Sequence, residues 1–143
     1  MPDLQTELSE ELIDAYKVTH FEVLSDPKFI LKVDEYCERL SNLFQNTGYE
    51  TACFITAYNP ASVELTSDQN QLAQSQLHSD LTQIKTVILD GIGNDPNGLW
   101  EGEPSFLILG ISLNDAKKIG IKYAQNAFVW CDENCIPELV LLK

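Results

Sequence analysis

The sequence predicts an α+β fold, a single mixed and largely antiparallel sheet with about four helices packed on it. Three observations predict it. Short runs rich in β-branched and aromatic residues come in adjacent pairs separated by turn formers, as hairpins require. Between the pairs lie segments whose apolar residues repeat at helical spacing behind Ser and Asp caps. The length of 143 residues, 44% hydrophobic and 22% charged, suits one domain spanning 1–143 whose core needs no staple, with 1–8 expected to be flexible.

Taken in order, Ser9 caps a first short helix with Glu10 and Glu11 in its opening turn and Leu12, Ile13 and Tyr16 on one face. Val18–Leu24 alternates as a strand, Ser25-Asp26-Pro27 turns the chain, and Phe29–Val33 returns as the second arm of a hairpin. Asp34 is the expected cap of a helix carrying Tyr36, Cys37, Leu40, Leu43 and Phe44, stopped at Gly48. Thr51–Tyr58 is almost continuously apolar and reads as a central strand covered on both faces, ended by Asn59-Pro60. Ser67–Gln83 repeats Leu72, Leu77 and Leu81 as the narrow buried stripe of an amphipathic helix, with Asp68 and Gln71 at its start.

Thr86–Leu89 is the next strand, and Asp90–Pro104 reads as a long loop because turn formers crowd it. Ser105–Ile111 is a second buried strand. Ser112 caps a helix with Ala116, Ile119 and Tyr123, and Ala127–Trp130 with Leu139–Leu142 closes the chain as an antiparallel hairpin. The predicted order is α-β-β-α-β-α-β-β-α-β-β.

Charge narrows the function. The chain holds 22 acids against 9 bases, net −13, and Arg39 is its one arginine. Residues 1–50 carry 11 acids and 4 bases, so the N-terminal third is the most acidic part. Phosphate recognition relies on cationic forks and counterion release, so nucleic acid is not an expected partner. An anionic membrane surface would repel the chain, and no apolar run reaches the ~18 residues a membrane span needs. The expected partner is a basic protein or a neutral or cationic small molecule, although acidity by itself also keeps a domain soluble. Met1–Glu7 has neither the basic region nor the apolar stretch of a secretory signal, which predicts a cytoplasmic location. Cys37 and Cys53 fall in apolar patterns as small core residues; Cys131 and Cys135 flank a tight turn with no histidine nearby. Neither metal, cofactor nor disulfide is expected from that spacing. Asp95-x-Asn97-Gly98 has fragments of a calcium loop without its closing Glu.

The polar residues at the ends of apolar runs are the candidate ligand-binding groups: Asn59, Asn70, Trp100, Glu103, Gln125 and Asn126. Asn59 before Pro60 suits an Asx turn or a ligand-binding amide. Asn70, near a helix N-terminus, is a solvated or capping residue that also has the option of facing Asn59. Glu103, at the head of a buried strand, serves either as an acid or base with a raised pKa or as an acceptor for loop N–H groups. Trp100 either pins the long loop to the body or offers a stacking platform. Asn126 reads as a left-handed helix stop, whereas Gln125 has no such structural reason. Phosphate-loop, nucleophile-elbow and metalloprotease signatures are missing.

Four stretches in this order, Thr56-Ala57-Tyr58-Asn59-Pro60, Asn70, Trp100-x-x-Glu103-Pro104-Ser105-Phe106-Leu107-Ile108-Leu109-Gly110-Ile111 and Tyr123-Ala124-Gln125-Asn126-Ala127, resemble a bacterial group known as domain of unknown function 3293. The resemblance spans roughly residues 9 to 142; it implies a cytoplasmic bacterial domain and assigns no activity. Two functions stay open: a non-enzymatic binding or regulatory module for a protein partner, and a small-molecule or enzymatic site formed by Asn59, Trp100, Glu103 and Gln125 at one edge of the sheet. Whether those four side chains open into one pocket or are buried in turns separates the two.

Overall fold

The computed structural model describes residues 6–143. Residues 1–5 of the segment read as flexible, and most of Met1–Glu7, therefore lie outside the described residues. The elements are α1 (Glu10–Val18), β1 (His20–Val23), β2 (Phe29–Leu31), α2 (Glu38–Thr47), β3 (Ala52–Ile55), α3 (Ser67–Thr82), β4 (Ile88–Asn94), β5 (Glu103–Leu109), α4 (Leu113–Lys122), β6 (Ala127–Cys131) and β7 (Glu138–Leu141). This is the predicted α+β order. The strands form one seven-stranded sheet in the order β2-β1-β4-β5-β3-β6-β7. All six pairings are antiparallel, where the sequence reading allowed a mixed sheet.

Both faces of the sheet carry a core. On one face, Leu40 and Phe44 of α2 pack with Phe21, Val23, Leu31, Phe54, Leu107 and Leu109. On the other, Leu77 and Leu81 of α3 and Ala116 of α4 pack with Cys53, Ile55, Phe106, Ile108 and Phe128. β3 and β5 sit in the middle of both layers. That is why their sequences lack alternation: side chains pointing either way enter a core. The two helices on the second face are tied together, because Asp80 of α3 accepts both Lys122 Nζ (2.7 Å) and the Tyr123 hydroxyl of α4. Burial, and then the Asp80 carboxylate, push the Tyr123 phenol up to about 12. Among the described residues no helix is long and apolar enough to cross a membrane.

Local signals place most boundaries. Ser9 and Ser112 accept N–H bonds from Leu12 and Asp115 as N-caps, and Gly48 ends α2 at φ 82, a left-handed stop. Four expectations are corrected. Asp34 does not cap α2; it sits at φ 67, and its N–H donates to the Pro137 carbonyl while the Cys37 N–H donates to that of Cys135. This bridge to residues 135–137 holds a turn ahead of the helix, which begins at Glu38, so Tyr36 falls outside the helix and is exposed. In α3, Leu72 is 62% exposed, and the buried stripe is Asn70, Gln74, Leu77 and Leu81. The helix starts one residue beyond Thr66, which forms a capping box with Gln69. The supposed loop from Asp90 is strand as far as Asn94, leaving only residues 95–102 between β4 and β5. After α4, Ala124 and not Asn126 takes the left-handed conformation, at φ 54.

Candidate functional site

Beyond β3 the chain leaves the sheet through an irregular turn. Asn59, Ala61 and Ser62 all have positive φ, 45°, 54° and 61°. L-residues adopt this conformation only where the surroundings hold it. What holds it is a set of side-chain amides from distant elements. Asn59 Oδ1 accepts the Leu65 N–H (3.1 Å) and Asn70 Nδ2 (2.8 Å), and Asn70 Oδ1 in turn accepts the Asn59 backbone N–H (2.9 Å). Asn59 Nδ2 donates to Glu103 Oε2 at 2.8 Å.

The other flank of the turn is held from the segment that connects α4 to β6. Gln125 Nε2 donates to the Tyr58 carbonyl (3.2 Å), and Asn126 Nδ2 donates to Ser62 Oγ (2.9 Å). The Ala61 N–H donates to the Ala124 carbonyl at 2.7 Å. Ser62 Oγ also meets the Tyr16 hydroxyl of α1 at 3.2 Å. Gln74 works just upstream: its Oε1 accepts the Ala57 N–H (2.8 Å) and its Nε2 donates to the Pro104 carbonyl (3.1 Å).

Five of the six candidates thus meet at one turn, with Asn59, Asn70 and Glu103 in direct contact and Gln125 and Asn126 on the opposite flank. Asn70, Gln125 and Asn126 are buried, and their amides bond protein groups. Trp100 does not join them by any hydrogen bond among the described residues. It is 40% exposed beside Leu99, which is 82% exposed. The loop is shaped from within by Asp95, whose carboxylate accepts the N–H groups of Asn97 (3.1 Å) and Leu99 (2.7 Å). Gln74 was missed by sequence reasoning. A signal for it existed: it lies four residues after Asn70 and three before Leu77, on one helical face.

Glu103 is the one ionisable member of the cluster. Burial pushes its carboxyl above the ordinary range, and the Asn59 bond draws it part of the way back. Among the described residues its other oxygen, Oε1, accepts no hydrogen bond. A raised folded-state pKa means that the stability linked to this group is present at acid pH and lost as pH rises through the folded value. Glu103→Gln keeps an acceptor for Asn59 and removes the charge. It is therefore expected to melt with wild type near pH 4 and to gain on it toward pH 8. Glu103→Ala leaves Asn59 Nδ2 without its partner and should cost about 1–2 kcal/mol at every pH. Thermal melts of the three proteins over that range check both, and a Glu103→Gln variant that loses stability relative to wild type as pH rises contradicts the reading.

A concavity adjoins the cluster. It is an open cleft of about 430 Å³ lined by Tyr58 after β3, by Gln71, Gln74, Ser75 and His78 of α3, and by Asp90 and Phe106 of β4 and β5.

A family model described as "Protein of unknown function (DUF3293)" matches residues 55–128, more than half of the chain. The matched stretch runs from the end of β3 into β6 and takes in the whole turn and the groups that hold it. No curated protein and no solved structure matches.

Proposed function

The chain belongs to the DUF3293 family, and on that footing we propose that it is a non-enzymatic binding module whose partner is a basic protein. The observation that carries the reading is the use made of the amides in the matched segment. Asn59, Asn70, Gln74, Gln125 and Asn126 hydrogen-bond the protein's own backbone, one another, the Glu103 carboxylate and the Ser62 hydroxyl, so they build a shaped turn in place of an open polar pocket. The sign of the partner follows from the net charge of −13 and from the face of β1 and β2, at one edge of the sheet, that lies opposite the α2-side core. β1 and β2 contribute to the α2-side core only. Toward the opposite side they present Glu22 with Leu24 (40% exposed) and Ile30 (41% exposed), a mixture of acid and apolar surface suited to a basic segment with an apolar residue. The four free, buried thiols fit the reducing cytoplasm as its compartment.

The alternative, a small-molecule or enzymatic site formed by Asn59, Trp100, Glu103 and Gln125, draws on one observation, the raised Glu103 carboxyl with its free Oε1. The two readings part in one experiment: affinity capture on the full chain, identification of the retained protein and reconstitution of the pair from purified components. The expected result is a basic protein whose affinity falls several-fold between ~50 and ~300 mM salt, as screened charge pairs require, and which Glu103→Gln still binds. An acidic or nucleic-acid partner, or loss of binding in a folded Glu103→Gln variant, overturns the proposal.

A further inference from the structure

We propose that the cleft between α3 and the β4–β5 pair is the subsite for an arginine side chain of that basic partner. This rests on the preceding reading and adds where the partner is gripped and by which chemistry.

Position comes first. Asp90 pairs with Phe106 in the β4–β5 ladder, and directly paired residues share a face. Phe106 is buried in the α3-side core, so the Asp90 carboxylate emerges on that side, at the rim where α3 ends its coverage of the sheet. Asp90 is exposed and, among the described residues, is the only carboxylate on the lining, which holds no lysine or arginine. Among the described residues the one ion pair is Lys122–Asp80, which leaves the Asp90 carboxylate without a cation.

The neutral groups point to the same ligand. Gln71 Nε2 donates to Ser67 Oγ at 3.2 Å, which leaves its Oε1 as an acceptor. Ser75 and Tyr58 add hydroxyl oxygens. Gln74 has both ends of its amide engaged, so it forms a fixed floor. The cleft is thus rich in acceptors. His78 lies over Phe106 with ring centres 5.2 Å apart and planes at 40°, an aromatic wall beside the carboxylate. A carboxylate, scattered oxygen acceptors and a ring face suit a planar cation with five N–H donors better than a compact ammonium. An anion would find no lysine or arginine there. Leu24 neighbours Asp90, its N–H donating to the Asp90 carbonyl at 2.8 Å, so residues flanking the arginine would run onto the exposed apolar side of β1 and β2.

The test uses the full ¹⁵N-labelled chain and the blocked peptide acetyl-Gly-Arg-Gly-amide, with the same peptide carrying lysine or the uncharged isostere citrulline. The expected result is amide shifts confined to the neighbourhood of Ser75, His78, Asp90 and Phe106. Arginine should bind ~5-fold tighter than lysine, and citrulline should give no saturable shift. Asp90→Asn, at an exposed position, should leave the rest of the spectrum unchanged and weaken the arginine peptide ~10-fold. Ser75→Arg, which places a guanidinium of the protein's own in the cleft, should abolish binding. Shifts located elsewhere, or equal affinity of Asp90→Asn and wild type, overturn the cleft while the basic-partner reading stands. Failure of the reconstitution with a basic protein overturns that reading and the arginine subsite with it.

Discussion

Gly91→Ala is expected to destabilise the protein by about 2–3 kcal/mol, the upper part of the range for an overpacked core. A Cβ at this position would lie 2.6 Å and 2.9 Å from two ring carbons of Phe54 and 3.0 Å from the Glu22 carbonyl oxygen. Neither neighbour can give way easily. Phe54 is 4% exposed and meets Phe21 edge-on, with centroids 5.3 Å apart at 69°. The Glu22 carbonyl belongs to β1, which is paired on one side of Gly91 while Ser105 of β5 holds the other. The strand cannot slide away from the ring without breaking one ladder. Urea unfolding should show a lower midpoint with an unchanged slope, because the surface exposed on unfolding is the same. Adding Phe54→Leu should recover part of the loss, since the smaller side chain removes the clash. The pair is then less destabilised than the sum of the single changes, the non-additivity that contact predicts. A cost of Gly91→Ala below ~0.5 kcal/mol would show that β4 does not approach Phe54 as described.

Asn59→Ala is expected to cost about 3 kcal/mol, at roughly 1 kcal/mol for each of the side-chain bonds to Leu65, Asn70 and Glu103. Alanine also tolerates φ 45 less well than asparagine. Asn59→Gly separates the two contributions: it relieves the backbone but restores no bond, and should recover ~1 kcal/mol of the loss. Asn59→Asp retains the acceptor for Leu65 and Asn70 and sets a second carboxylate against Glu103. Like charges raise the pKa of the pair, so this variant should be weakest at neutral pH and recover as acid protonates one of the two. Calorimetric melts of the three variants across pH 4 to 8 decide the matter. An Asn59→Ala protein as stable as wild type would mean that the turn holds itself, and that the amide cluster is not its scaffold.

The two predictions concern residues that the sequence shows in opposite ways. Asn59 was legible as a polar residue closing an apolar run, and so were Glu103, Gln125 and Asn126, because an apolar strand that meets a polar residue and a proline or helix stop is a local pattern. Their partnership was not legible. Glu103 is 44 residues from Asn59, and Gln125 is 67 from the Tyr58 carbonyl it bonds; nothing within a turn or a helical period connects them. Gly91 misled the local reading. Asp90-Gly91-Ile92-Gly93 has the composition of a turn, and only the reach of Phe54 from β3, two strands away on the same face, shows that Gly91 is small so that a ring can pass.

By itself the sequence determined the α+β class, the order of eleven elements, the two terminal hairpins, the twice-buried centre of the sheet and the acidic charge. Caps, side-chain periodicity and turn residues act over a few positions and are written where they act. Only the tertiary structure decided the strand order, the α3 stripe in which Asn70 and Gln74 replace Leu72, and the turn at Asn59. The physical reason is the same in each case. A buried amide is favourable only when distant backbone groups fill its hydrogen bonds, and those groups come together only once β3, β5 and α4 have been packed around α3.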